Sequence, residues 1–219
     1  MSQRPTPSFL AAFGLVLAIA ALAGFVDAYS FVQFQKLFVS FMSGNTTSLG
    51  VATAHQATDK LHQLPLVLGL FVGGVVLGSL LHGWAGRWAA TLLLLVVAGL
   101  LLLAHAYPAL ALGSLTLGMG VLNASVHEVG EVKVTLTYVT GTLVKFGAGL
   151  AKLLSGQHES WDWLWQVTLW VAFLVGAFGG AVALLHLPQG ALLVAAGLST
   201  VLALAASLVH GLRQGPPSA

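Results

Sequence analysis

The chain contains no cysteine, which excludes disulfides, thiolate nucleophiles and cysteine metal ligands. Charge is almost as scarce. Asp, Glu, Lys and Arg make up 6% of the 219 residues, against about 25% in an ordinary soluble domain. The eight Lys and Arg are spread thinly and give a net charge of +2. Without a basic cluster there is no nucleic-acid footprint. No nucleophile–base pair, phosphate-binding loop or cofactor fingerprint is visible, so neither catalysis nor a cofactor is expected. The eight histidines stand at positions 55, 62, 82, 105, 127, 158, 186 and 210. None shows the i, i+4 spacing with Glu of a helical zinc site. They read as interfacial residues, and no metal is expected.

Apolar sequence fills the space left by charge. Hydrophobic residues make up 58% of the chain and fall into runs at 9–31, 37–56, 64–83, 88–106, 109–126, 133–154, 164–186 and 190–211. Runs near 20 residues that lack alternation suit membrane-crossing helices, not barrel strands. The polar breaks lie at His55–Gln63, His82–Arg87, His127–Lys133 and Gly156–Asp162, with Pro108 and Pro188 at two others. Arg4, the run from Phe9 and Ala21-Leu22-Ala23 resemble a signal peptide. The run continues past that site, so it is read as a retained helix. Trp161, Trp163 and Trp165 at a run start read as an interfacial aromatic belt.

Two runs carry polar residues where lipid offers them nothing. Phe41-Met42-Ser43-Gly44-Asn45-Thr46-Thr47-Ser48-Leu49-Gly50 matches Tyr138-Val139-Thr140-Gly141-Thr142-Leu143-Val144-Lys145-Phe146-Gly147 at an offset of 97. Gly24 and Asp27 match Gly120 and Asn123 at an offset of 96, and Phe71, Gly74 and Gly78 match Phe173, Gly176 and Gly180 at 102. The ordered set implies an internal repeat with halves at 1–106 and 107–219, each holding four runs. Hydrophobic segments interrupted at matching places mark the binding site of many transporters.

Positive charge bears on topology. With eight full spans and the N-terminus inside, Arg4, Lys60, Lys152 and Arg213 lie inside, and Lys36, Arg87 and Lys133 outside. If runs two and six dip in and return, Arg4, Arg87, Lys133, Lys152 and Arg213 lie inside, and Lys36 and Lys60 outside. The second division fits the positive-inside rule better. It leaves three spans per half, so the second half is inverted. A 4+4 arrangement of full spans is the alternative.

The candidate solute-binding residues are Ser43, Gly44, Asn45, Thr46 and Thr47, with Thr140, Gly141 and Thr142. Glycine lets the backbone leave helical geometry, and Ser, Thr and Asn favour helix starts. A helix beginning there aims free N–H groups at the bilayer centre and suits an anion or carboxylate. Lys145, in mid-run, is an intramembrane charge and a functional candidate; its counterpart is Ser48. If the first helix continues to Phe34, Asp27 lies within the membrane, to pair with Lys145 or carry a proton. If the helix stops near Ala28, Asp27 is interfacial. Asn123 takes its place in the second half. Glu128 and Glu131 read as loop residues. Gly74, Gly78, Gly176 and Gly180 carry the small-xxx-small spacing of close helix contacts.

At Gly24-Phe25-Val26-Asp27-Ala28 and Phe41-Met42-Ser43-Gly44-Asn45-Thr46, the chain resembles the YoaK-like family of bacterial inner-membrane proteins. Ser43 stands where that family usually has Thr. The resemblance implies a multi-pass inner-membrane protein and marks out Asp27, Gly44 and Asn45. It supplies no substrate, because the family has no assigned function.

The expectation is therefore an all-α polytopic membrane protein in two pseudo-symmetric halves. Its expected function is that of a small secondary transporter or channel-like permease for an anionic or zwitterionic solute, with the site where the two broken segments meet. The rivals are an intramembrane enzyme acting on a lipid or isoprenoid, and a non-transporting scaffold. The expected partners are the bilayer and a small solute, with self-association left open.

Overall fold

The computed structural model describes residues 7–125, 139–156 and 163–212. Arg4, Glu128, Glu131, Lys133, Trp161 and Arg213 lie outside them. Among the described residues there is no strand. The helices are α1 (Pro7–Gln33), α2 (Met42–Ala54), α3 (Thr58–Ala85), α4 (Ala89–Ala106), α5 (Ala111–Ser125), α6 (Val139–Leu154), α7 (Trp163–His186) and α8 (Ala191–Leu212). Four helical stretches are long and apolar enough to cross a membrane: Phe9–Gln33, Thr58–Ala106, Trp163–His186 and Ala191–Val209. The second holds both α3 and α4, joined by a 3-10 turn at Gly86–Trp88. Gly86 adopts φ +51° there, a left-handed conformation that glycine enters without a Cβ clash. Pro108–Ala124 is a shorter apolar helix.

At 13 and 16 residues, α2 and α6 rise only about 20–24 Å at ~1.5 Å per residue. Each begins at its polar motif. Large apolar side chains cover the outside of the protein: Val72, Trp84, Val175, Phe178 and Leu204 are all exposed. A soluble protein rarely shows such a surface; hydrocarbon accommodates it. Burial is uneven. The most apolar stretch of α1 is 61% buried and that of α7 only 17%, so α1 is a central helix and α7 a peripheral one.

The helices pack in the series α2–α3–α5–α4–α8–α1–α7–α6. Exchange each helix with the one four places away in the chain, and the series reads the same backwards. The crossings obey the same exchange. On α1 and α7, a Cβ at Gly24 would strike the Phe173 carbonyl, one at Gly176 the Ala21 carbonyl, and one at Gly180 the Phe25 carbonyl. On α5 and α3, a Cβ at Gly120 would strike the Phe71 carbonyl and one at Gly74 the Leu117 carbonyl, while one at Gly78 would strike the Ala124 Cβ and crowd the Val121 carbonyl. Added to 24, 21 and 25, the offset of 96 gives 120, 117 and 121; added to 71, 74 and 78, the offset of 102 gives 173, 176 and 180. Backbones approach this closely only where both lack bulk.

These crossings also fix direction. Trp165, Gly176 and Gly180 on α7 meet Phe13, Ala21 and Phe25 on α1 in turn, so the two run parallel; Gly74 and Gly78 on α3 meet Leu117 and Val121 on α5, so these two do also. The ends of α1 (Tyr29, Gln33, Phe34) and α4 (Ala104, His105) line one cavity with the starts of α5 (Pro108, Ala111) and α8 (Pro188, Gln189, Leu192). Thus α1, α4 and α7 point one way, and α3, α5 and α8 the other. The start of α7 lies beside the start of α1, where Trp165 meets Phe9 and Phe13 with ring centroids 5.9 and 4.8 Å apart.

Candidate functional site

Helix α1 continues to Gln33, so Asp27 lies inside an apolar helix and is buried. Its carboxylate does not reach for a cation. Oδ1 accepts from the backbone N–H groups of Val39 and Ser40, each at 2.9 Å. Oδ2 accepts from the Ser40 hydroxyl at 2.6 Å. Two backbone amides and a hydroxyl are strong partners for a buried carboxylate. Nearby, the Ser30 hydroxyl donates to the Leu37 carbonyl at 3.2 Å.

Asn45 completes the arrangement from α2. Its side chain is fully buried. Oδ1 accepts from the Phe38 N–H at 3.2 Å, and Nδ2 donates to the Phe38 carbonyl at 2.6 Å. The segment 34–41, which follows α1, has no helix to satisfy its backbone, and buried backbone groups must find partners. Asp27, Ser30 and Asn45 supply them. Asp27 lies six residues before Gln33, roughly 9 Å along the helix at ~1.5 Å per residue. The chain therefore turns back from the end of α1 to the level of Asp27 before α2 begins.

Gly44 belongs to the same unit, because a Cβ there would meet the Phe41 ring. Phe41 in turn lies edge-on to Phe38, with centroids 5.3 Å apart. Ser43, Thr46 and Thr47 are exposed on the outer face of α2. Two of their hydroxyls turn back to the helix: Thr46 donates to the Met42 carbonyl at 2.8 Å and Thr47 to the Ser43 carbonyl at 3.1 Å.

In the second half, Gly141 and Thr142 are buried and Thr140 is exposed. Thr142 donates to the Val139 carbonyl at 2.6 Å. Asn123 is buried, and its Nδ2 donates to the Met119 carbonyl at 2.8 Å. Lys145 is exposed on α6, and Asp27 is occupied elsewhere. The two charges therefore do not form the pair that sequence left open.

The two broken segments are not brought together either. α2 packs on α3 and α6 on α7, at opposite ends of the series of packed helices. Among the described residues α2 and α6 do not pack extensively on each other. Both halves contribute to a cavity of about 320 Å³ at the ends of α1, α4, α5 and α8. Sequence reasoning missed its polar residues. Tyr29, Gln33 and Gln189 stand at run ends beside a loop, where polar residues are ordinary, and His105 read as interfacial.

A family model described as "Protein of unknown function (DUF1275)" matches residues 15–205. The "UPF0700 transmembrane protein RA0705" of Rhizobium meliloti (strain 1021) is 37% identical over 172 residues, covering 77% of this chain and 74% of the relative. No solved structure matches. These similarities agree with the resemblance to a bacterial membrane family of unknown function.

Proposed function

The chain belongs to the DUF1275 family of proteins of unknown function, and within that membrane family we propose that it is a small permease built as an inverted repeat. In this reading the halves 1–106 and 107–219 each contribute three spans, α1, α3 and α4, then α5, α7 and α8. α2 and α6 enter from opposite sides and return. The observation that carries the reading is the set of glycine crossings that obey the exchange of halves. The helix directions support inversion, because α1, α3 and α4 each run against their counterparts α5, α7 and α8. Inverted repeats that meet around a solute path are the architecture of many secondary transporters, in which one half rocks against the other.

Orientation follows from charge. Both ends of the described chain lie on the side of Arg87, and Lys36 and Lys60 on the other. The positive-inside rule puts the first side in the cytoplasm of a bacterial inner membrane. Ser43, Thr46, Thr47 and Thr140 give each half a polar face beside its own returning helix. Asp27, Gly44 and Asn45 hold the first of these in shape. Lys145, which favoured an anionic or zwitterionic solute, sits at a flank and not at the junction of the halves. A small polar solute is the class we retain.

Flux is the test. Purified protein in proteoliposomes should accelerate uptake of at least one of radiolabelled glycerol, acetate and glycine above protein-free liposomes. Protein unfolded by heat before reconstitution should show no gain. Rates equal to empty liposomes for all three would count against a permease and return weight to a scaffold.

A further inference from the structure

We propose that the cavity between the ends of α1, α4, α5 and α8 is a binding site for a small uncharged solute with an apolar body and a hydrogen-bonding amide or hydroxyl end. The inference stands on the cavity alone and does not rest on the permease reading. The space is about 320 Å³, within the size range of small-molecule sites. Four helices and both halves contribute to it.

The walls decide the chemistry. Tyr29 is only 8% exposed and lines the cavity. Among the described residues no hydrogen bond reaches its hydroxyl. The hydroxyl itself is not enclosed by protein, so it is available to an occupant of the cavity as donor and acceptor. Gln33, His105 and Gln189 are exposed at the rim, and together offer both donors and acceptors. Phe34 and Leu192 give apolar wall.

Among the described residues no Asp, Glu, Lys or Arg lines the cavity. The helix ends do not supply a field either. α5 and α8 bring their positive N-terminal ends, and α1 and α4 their negative C-terminal ends. Two of each sign largely cancel. An ion entering would give up water without meeting a counter-charge. A neutral molecule with one polar end exchanges water for the Tyr29 hydroxyl and the rim amides.

The absence of cysteine makes the test direct. Pro108→Cys, at an exposed position in the lining, is introduced as a reporter with the protein in lipid nanodiscs, and its rate of reaction with a maleimide is followed. The probes are benzamide, benzoate and benzylamine, alike in shape and different in charge. Millimolar benzamide should slow labelling severalfold, while leaving a Ser155→Cys reporter unchanged. Tyr29→Phe should raise the half-protecting concentration of benzamide about fivefold, the loss of one hydrogen bond. Gln33→Ala, at the rim, makes the same test if Tyr29→Phe does not fold. Equal protection by benzoate or benzylamine would overturn the uncharged class. No protection by benzamide, or protection indifferent to both substitutions, would overturn the site.

Discussion

The two proposed halves are alike in how they pack and unlike in the chemistry they carry. Gly24 on Phe173 and Gly120 on Phe71 are the same crossing made twice. Asp27 and Asn123 occupy equivalent positions, yet Asp27 binds backbone amides 12 and 13 residues ahead, while Asn123 reaches back four residues to Met119. Ser48 corresponds to Lys145. A crossing without Cβ atoms tolerates little change, because backbone cannot yield as a side-chain tip can. A polar side chain on one helix face is under no such constraint. In the proposed repeat the crossings are held fixed, and each half is free to carry its own polar groups.

The largest effects should come from breaking the crossings. Gly176→Val and its twin Gly74→Val should each prevent recovery of folded protein. The milder Gly176→Ala and Gly74→Ala should each cost about 1–3 kcal/mol, as overpacking does, read as a lowered unfolding temperature in detergent. At Gly99 and Gly197, an added Cβ would meet nothing within 4 Å. Alanine there should be neutral or should stabilise by up to about 1 kcal/mol through helix propensity. If only one of the twins responds, the equivalence of the halves fails.

The chemical asymmetry gives the next effects. Asp27→Ala strips the Val39 and Ser40 amides of their acceptor, at about 1–3 kcal/mol for each group left buried and unsatisfied. Thermal unfolding in detergent measures the loss, and an unchanged unfolding temperature would contradict it. Asn45→Ala orphans both polar groups of Phe38 and should cost more than Thr142→Ala, which loses one local bond worth about 1 kcal/mol. The smallest effect belongs to Lys145→Ser, which makes the second half resemble the first. An exposed side chain there should change stability by no more than about 0.5 kcal/mol; a loss of several would show that Lys145 has a buried partner.

Much of the scaffold was readable because periodic features have periodic causes. The runs at 9–31, 88–106, 164–186 and 190–211 lie close to α1, α4, α7 and α8, since an apolar stretch needs a helix to satisfy its backbone in lipid; α3 begins well before its run and α2 well after its own. Gly74 and Gly78 could be read as a contact face, because close approach removes the Cβ. The roles of Asp27 and Asn45 were not readable. Both stood out as polar residues in apolar surroundings, which invites a solute. Their partners are backbone groups of an aperiodic segment, which composition does not reveal. The separation of α2 from α6 was also hidden, because a repeat states which helices are equivalent and not which ones touch. The cavity was hidden for a related reason: four ordinary run ends acquire meaning only when they converge.

The central claim is that the halves are inverted, and the cysteine-free chain permits a direct test. Thr58→Cys, exposed at the start of α3, and Ser155→Cys, exposed just after α6, stand at equivalent places separated by the offset of 97. Intact cells are treated with a membrane-impermeant maleimide, then permeabilised and treated again. The inverted arrangement predicts that Thr58→Cys labels in intact cells and Ser155→Cys only after permeabilisation. Labelling of both from one side would contradict it.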